Sequence, residues 1–224
     1  MERFPIRALL AGVLAGLLFT VAVISLIGPV ASDSQSQMAA ALQDGRQWAV
    51  IAFFGAGLAA FLGLWFLSVL RAWLRAAVPD GGEDLGTLAL VAATLAVGLA
   101  LVGISLFYGA TYELAGRGGS AALLGLVDAA NGVMMMTKFS GAVVVAAISL
   151  AASRSGRFPA WFPILGWFSV FALIASSIGL FAEGSFTQFG GPLDFYGSLP
   201  SGVWGFLLMA FLYRERLSPT SVAT

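Results

Sequence analysis

The chain contains one lysine, Lys138, and it lies inside an apolar stretch. A charge near the middle of a membrane helix costs about 2.5–3.5 kcal/mol on insertion scales, so such residues turn toward the bundle or a wet cavity. Asp128 and Asn131 precede Lys138 in the same stretch. At about 100° per residue the three fall within roughly 80° of one another, which makes one helix face polar. Asp128 stands about 15 Å from Lys138 along the axis, too far for a direct pair. Partners must come from other segments. Ser105, Tyr108 and Glu113 close the third apolar stretch, and Ser176, Ser177 and Glu183 close the fifth. Glu113, Asp128 and Glu183 all lie nearer the outer boundary than Lys138 does. The partners expected at its own depth are therefore hydroxyls and water rather than a carboxylate.

Three readings of this face stay open. Lys138 is a snorkelling lysine that fixes helix register, or the ammonium of a small-ligand or ion site in an outward-opening cavity, or one step of a proton relay. A relay would need polar groups in both halves of the membrane, and residues 143–152 offer only Ser149. The absence of His and Cys removes imidazole and thiolate chemistry, disulfides and the commonest metal ligands. An intramembrane enzyme would fall back on a carboxylate or on a serine beside Lys138, and nothing in the spacing selects a nucleophile. The expectation is a protein that is not an enzyme and uses no cofactor or metal. The 11 basic and 11 acidic residues balance, so no electrostatic footprint for nucleic acid exists.

The elements that position these residues are long and apolar. Hydrophobic residues make up 59% of the 224 positions and charged ones 10%, against about 25% charged in soluble domains. The fold expected is all-α: a single polytopic bundle of six transmembrane helices, near residues 8–30, 48–70, 86–108, 124–151, 160–182 and 193–213. Arginines alternate with these spans. Arg3, Arg7, Arg71, Arg75, Arg154, Arg157, Arg214 and Arg216 fall on one side, and only Arg46 and Arg117 on the other. The basic side is cytoplasmic, so both termini are inside. The first apolar run, about 23 residues, exceeds the 7–15 of a cleaved signal and reads as a retained helix. Arginine-for-lysine bias and the lack of a glycosylation sequon fit a bacterial cytoplasmic membrane.

Small residues recur at helical spacing: Gly12 and Gly16, then Gly55, Ala59 and Gly63, then Ala92, Ala96 and Ala100. They favour close helix packing within the monomer over oligomerisation. Trp48, Trp73 and Trp161 fall at span ends and read as interfacial anchors. The sixth stretch carries two breaks, Gly190-Gly191-Pro192 and Gly197-Ser198-Leu199-Pro200. Regular helix could start only at Pro200, with residues 186–199 dipping into the outer leaflet or lying over it as an interfacial flap.

The stretch from Arg154 through Phe158, Pro159 and Trp161 to Leu165, Gly166 and Trp167 resembles a loop-to-helix signature of bacterial six-helix membrane proteins grouped as a domain of unknown function (DUF4386-like). The opening Arg7-Ala8-Leu9-Leu10-Ala11-Gly12 and the span layout are similar too. The resemblance implies six helices and carries no catalytic residues. The function expected is an integral membrane protein that binds a small molecule, lipid or membrane-protein partner at an outer-half site. That site is formed by Lys138, Asp128, Asn131, Glu113, Glu183 and Tyr108. The alternative is a secondary transporter or channel for a small solute.

Overall fold

A computed structural model describes residues 4–26, 40, 42–114, 121–180 and 191–217. Its elements are helical. They are α1 (Ile6–Leu26), α2 (Arg46–Ala77), α3 (Gly82–Gly109, continued by a π turn Ala110–Leu114), α4 (Ala121–Ser155), α5 (Trp161–Ser176, continued by a 3₁₀ turn Ser177–Leu180) and α6 (Pro192–Leu217). Among the described residues five helices are long and apolar enough to cross a membrane, and α5 is a shorter apolar helix.

Local chemistry sets the boundaries. Val78 precedes Pro79, which disfavours helical backbone there, and Val78 is extended at φ −129°, ψ 89°. Gly81 then takes a left-handed φ of 84°, and α3 opens with Glu83 and Asp84 in its first turn, where acids suit the helix dipole. Gly156, at φ 62°, ends α4 as glycine commonly ends helices. Two stretches run longer than the sequence suggests. α2 continues to Ala77, which carries Trp73 into the interior at 8% exposure. Trp73 packs against Phe4 and Phe158, so it is a core residue and not an interfacial anchor. α6 runs unbroken from Pro192 through Pro200. Over residues 192–199 this corrects the dipping segment; residues 186–190 lie outside the described residues.

The bundle is apolar outside as well as inside. On α5, Ile164, Phe168 and Phe171 are 67%, 60% and 69% exposed, a surface suited to lipid rather than water. Small residues bring α1 against α2: Gly63 faces Ala15 and Gly55 faces the Leu18 carbonyl. Gly12 is closed in by Phe66 and Met209, whereas Gly16 opens on free space.

Among the described residues the interior divides into two apolar cores. At one end, side chains from all six helices meet, including Phe4, Phe66, Trp73, Ile148, Phe162, Trp204 and Leu212. The same end collects arginines. Arg71 and Arg75 pair with Glu83, Arg157 pairs with Glu215, and Arg216 donates to the Phe4 carbonyl at 3.1 Å. At the far end the core draws on α1, α2, α3 and α4 with Leu42, through Ala22, Ala56, Ile104, Phe107, Leu123 and Met134. Among the described residues neither α5 nor α6 contributes to it.

Candidate functional site

Between the two apolar cores a polar contact joins α5 and α6 to α4. Lys138, midway along α4, is 5% exposed. Its Nζ lies 2.5 Å from Asp194 Oδ1 on α6 and donates to Ser176 Oγ on α5 at 2.8 Å. The Ser176 carbonyl lies 3.4 Å away, and the Ser176 hydroxyl donates to the Leu173 carbonyl at 2.9 Å. One ammonium thus joins three helices, with its three protons directed at Asp194 and at the two oxygens of Ser176. Asp194 is buried too. It occupies the first turn of α6, where the free backbone N–H groups and the positive dipole end favour a carboxylate.

Close backbone approach makes the triad possible. Gly197, one turn after Asp194, faces Ser176: a Cβ there would run into the serine Cβ and come within 3.1 Å of the Ala172 carbonyl. The absent side chain lets the first turn of α6 lie on α5 and bring Asp194 over to Lys138. The pairing differs from the expectation of a lysine bonded only to hydroxyls and water. The missing carboxylate is Asp194, which reaches the lysine's depth because α6 begins at Pro192.

The other residues expected at the site are dispersed. Asp128 is exposed on α4, well above Lys138. Asn131 is half-buried, and its Oδ1 has no hydrogen-bond partner among the described residues. Tyr108 turns elsewhere. Its ring stacks on Tyr112 at 4.4 Å and tilts against Phe53 of α2, while the Arg46 guanidinium covers Tyr112 at 4.2 Å. Ser105 is exposed and bonds its own Leu101 carbonyl. Glu113 falls in the π turn with its side chain outside the described residues, as all of Glu183 is.

A second polar level lies about 15 Å nearer the arginine-rich end, ten or eleven residues along each of the same three helices. There Gly166 of α5 faces Ser149 of α4 and Trp204 of α6, its Cβ position 2.9 Å from Trp204 Nε1. Ser149 Oγ and Trp204 Nε1 are buried with no hydrogen-bond partner among the described residues. Ser169 and Ser201 fall between the two levels, on the stripes that carry Ser176 and Asp194. Each bonds its own helix. Below Trp204 the seam is filled by rings: Phe162 stacks on Trp204 at 5.4 Å and meets Phe158 and Phe211.

No family model, curated protein or solved structure matches this chain. The functional reading therefore rests on the site itself.

Proposed function

We propose that the protein is a non-enzymatic, six-span integral membrane protein of a bacterial cytoplasmic membrane. Its outer half binds a small molecule or lipid through an anionic group that exchanges with Asp194 at Lys138. The observation behind this reading is the burial of both charges of the Lys138–Asp194 pair in an apolar bundle. A buried ion pair is weak support for stability, because apolar side chains of similar volume often serve as well or better. Ionisable groups at membrane depth more often mark binding sites or pathways. Lys138 already holds one carboxylate, so a second carboxylate from a ligand meets the same donors. With Asp194 moved off the ammonium, a monoanion neutralises Lys138 and a dianion adds an uncompensated charge. Asn131 and Asp128, on the same face toward the outside, line the approach.

Six spans are supported by length. The 16 residues of α5 and the 3₁₀ turn after it rise about 32 Å together, close to the hydrocarbon thickness of about 30 Å. Gathering of Arg71, Arg75, Arg157 and Arg216 at one end supports N-in, C-in topology. The chain has no cysteine, so single cysteines report cleanly. Cysteines at Ser36 and Gln188 should react from outside with an impermeant thiol reagent, and ones at Gly82 and Ser155 should not. Equal labelling at all four would overturn the topology.

The binding reading is tested with a photoreactive long-chain monocarboxylate and its methyl ester, on purified protein in mixed detergent. The acid should crosslink at least tenfold more than the ester, and Lys138→Met should abolish the difference. Equal capture of acid and ester by the unaltered protein would sink carboxylate exchange. One observation favours the alternative, a transporter or channel: Ser149, Ser169, Ser201 and Trp204 continue the polar seam below Lys138. The rings of Phe158, Phe162 and Phe211 close that seam toward the arginine-rich end, which favours binding.

A further inference from the structure

Buried polar atoms rarely go without a partner, and each one that does calls for a physical reason. Among the described residues three side-chain atoms are in that state: Asn131 Oδ1, Ser149 Oγ and Trp204 Nε1. Asn131 and Ser149 share the face of α4 that carries Lys138, seven residues before it and eleven after it. Those spacings are close to two and three whole turns. Trp204 meets the same face from α6, across Gly166. The three atoms thus gather on one seam, on either side of the Lys138–Asp194 pair.

Ser149 and Trp204 are the deeper case, at 0% and 3% exposure. Other hydroxyls along the seam turn back on their own helix. Ser169 donates to the Leu165 carbonyl, Ser176 to the Leu173 carbonyl and Ser201 to the Ser198 carbonyl. Ser149 forgoes such a bond. Its Oγ points away from α4 into the place a Gly166 Cβ would fill, and Trp204 Nε1 lies 2.9 Å from that place. An indole N–H can only donate, whereas a hydroxyl donates or accepts. Two such groups, aimed at one notch from different helices, match the polar partners that an internal water takes.

We infer that Ser149 and Trp204 hold an internal water over Gly166. The water accepts from Trp204 Nε1–H and bonds the Ser149 hydroxyl; two hydrogen bonds of about 2.8–2.9 Å span atoms placed in this way. The guest is uncharged. A buried ion would need a countercharge, and the notch offers a hydroxyl, an indole N–H and backbone. The site lies in the inner half, below the carboxylate site proposed above, and does not depend on it. From Asn131 to Ser149 the face of α4 runs about 27 Å, against a hydrocarbon thickness of about 30 Å. Water at the lower level makes that face polar through most of the membrane's depth. It stops at Phe162, which stacks on Trp204.

Radiolytic hydroxyl-radical labelling of the full chain in lipid nanodiscs tests the site. An X-ray pulse makes the radical from water, so a buried side chain is oxidised only where water stands beside it. Met134 is the control: it is 2% exposed, packs on Gly103 of α3 and carries a readily oxidised thioether. Trp204 should be oxidised despite its burial, at a yield at least about fivefold above that of Met134. Ser149→Ala removes one of the two anchors and should cut the Trp204 yield at least about threefold, with the melting profile and the Met134 yield unchanged. Trp204 as protected as Met134 in the unaltered chain would overturn the site; the hydroxyl and the indole would then bond each other directly. A Trp204 yield unmoved by Ser149→Ala would overturn it too, because the oxidant would reach the ring by another route. Neither result bears on capture of acid over ester at Lys138.

Discussion

Lys138→Met alone should destabilise the bundle by about 3–5 kcal/mol, because it takes the Lys138 countercharge from a carboxylate, Asp194, that stays buried. Asp194→Leu alone should cost a similar amount by stranding the ammonium. The double variant should recover most of the loss, since two apolar side chains of comparable volume carry no desolvation penalty. Reversible unfolding in mixed detergent reads all three. The decisive quantity is the coupling energy. Hydrogen bonds in a membrane bundle average about 0.6 kcal/mol in such cycles and reach about 1.7; a desolvated ion pair should exceed about 2 kcal/mol. Ser176→Ala removes a neutral acceptor from the same ammonium and should fall near the hydrogen-bond average. Additive losses for Lys138 and Asp194 would mean that water screens the pair, and the site would then be wet and open rather than closed.

Lys138 itself was legible from the sequence. It is a lone lysine in an apolar stretch, and it does turn into the bundle. Ser176 was legible as one of the hydroxyls at the end of the fifth stretch. Asp194 was not placed, although its signal is present. Proline at a first helical position followed closely by an acid marks a helix start, and Pro192 with Asp194 is such a start. Pro200 obscured it. A proline eight residues further on reads as a breaker, but α6 passes through it, giving up the hydrogen bond to the Tyr196 carbonyl while Ser201 Oγ bonds the Ser198 carbonyl. The dispersal of Tyr108 and Asp128 has a different origin. Helical periodicity places residues on a face of their own helix, but which neighbour that face meets depends on packing. Tyr108 is drawn to Phe53 and Tyr112, a contact no single-helix pattern encodes. Trp73 shows the same limit, since only the length of α2 tells an anchor from a core residue. The division of the interior into two apolar cores has no sequence signal of its own. It emerges from the crossing of six helices whose compositions are nearly alike.

Gly197→Val should damage the site more than any other glycine substitution in α6. The position faces Ser176 so closely that even a methyl group collides with the serine Cβ and crowds the Ala172 carbonyl, and neither neighbour is a flexible side-chain end that can swing aside. Overpacking of this kind costs about 1–3 kcal/mol or more. Here the strain is relieved by lifting the first turn of α6 from α5, which carries Asp194 away from Lys138. Two controls isolate the effect. Gly202→Val adds the same side chain to the same helix, where nothing lies within 4 Å, and should change stability by less than about 1 kcal/mol. Gly197→Ala combined with Ser176→Gly removes the Cβ collision and should recover part of the loss. Recovery stays incomplete, because Lys138 then lacks its hydroxyl partner and the Ala172 carbonyl is still crowded. Equal tolerance of valine at Gly197 and Gly202 would show that α6 does not lie on α5 as described. The route by which Asp194 reaches the lysine would then be wrong, whatever the fate of the pair itself.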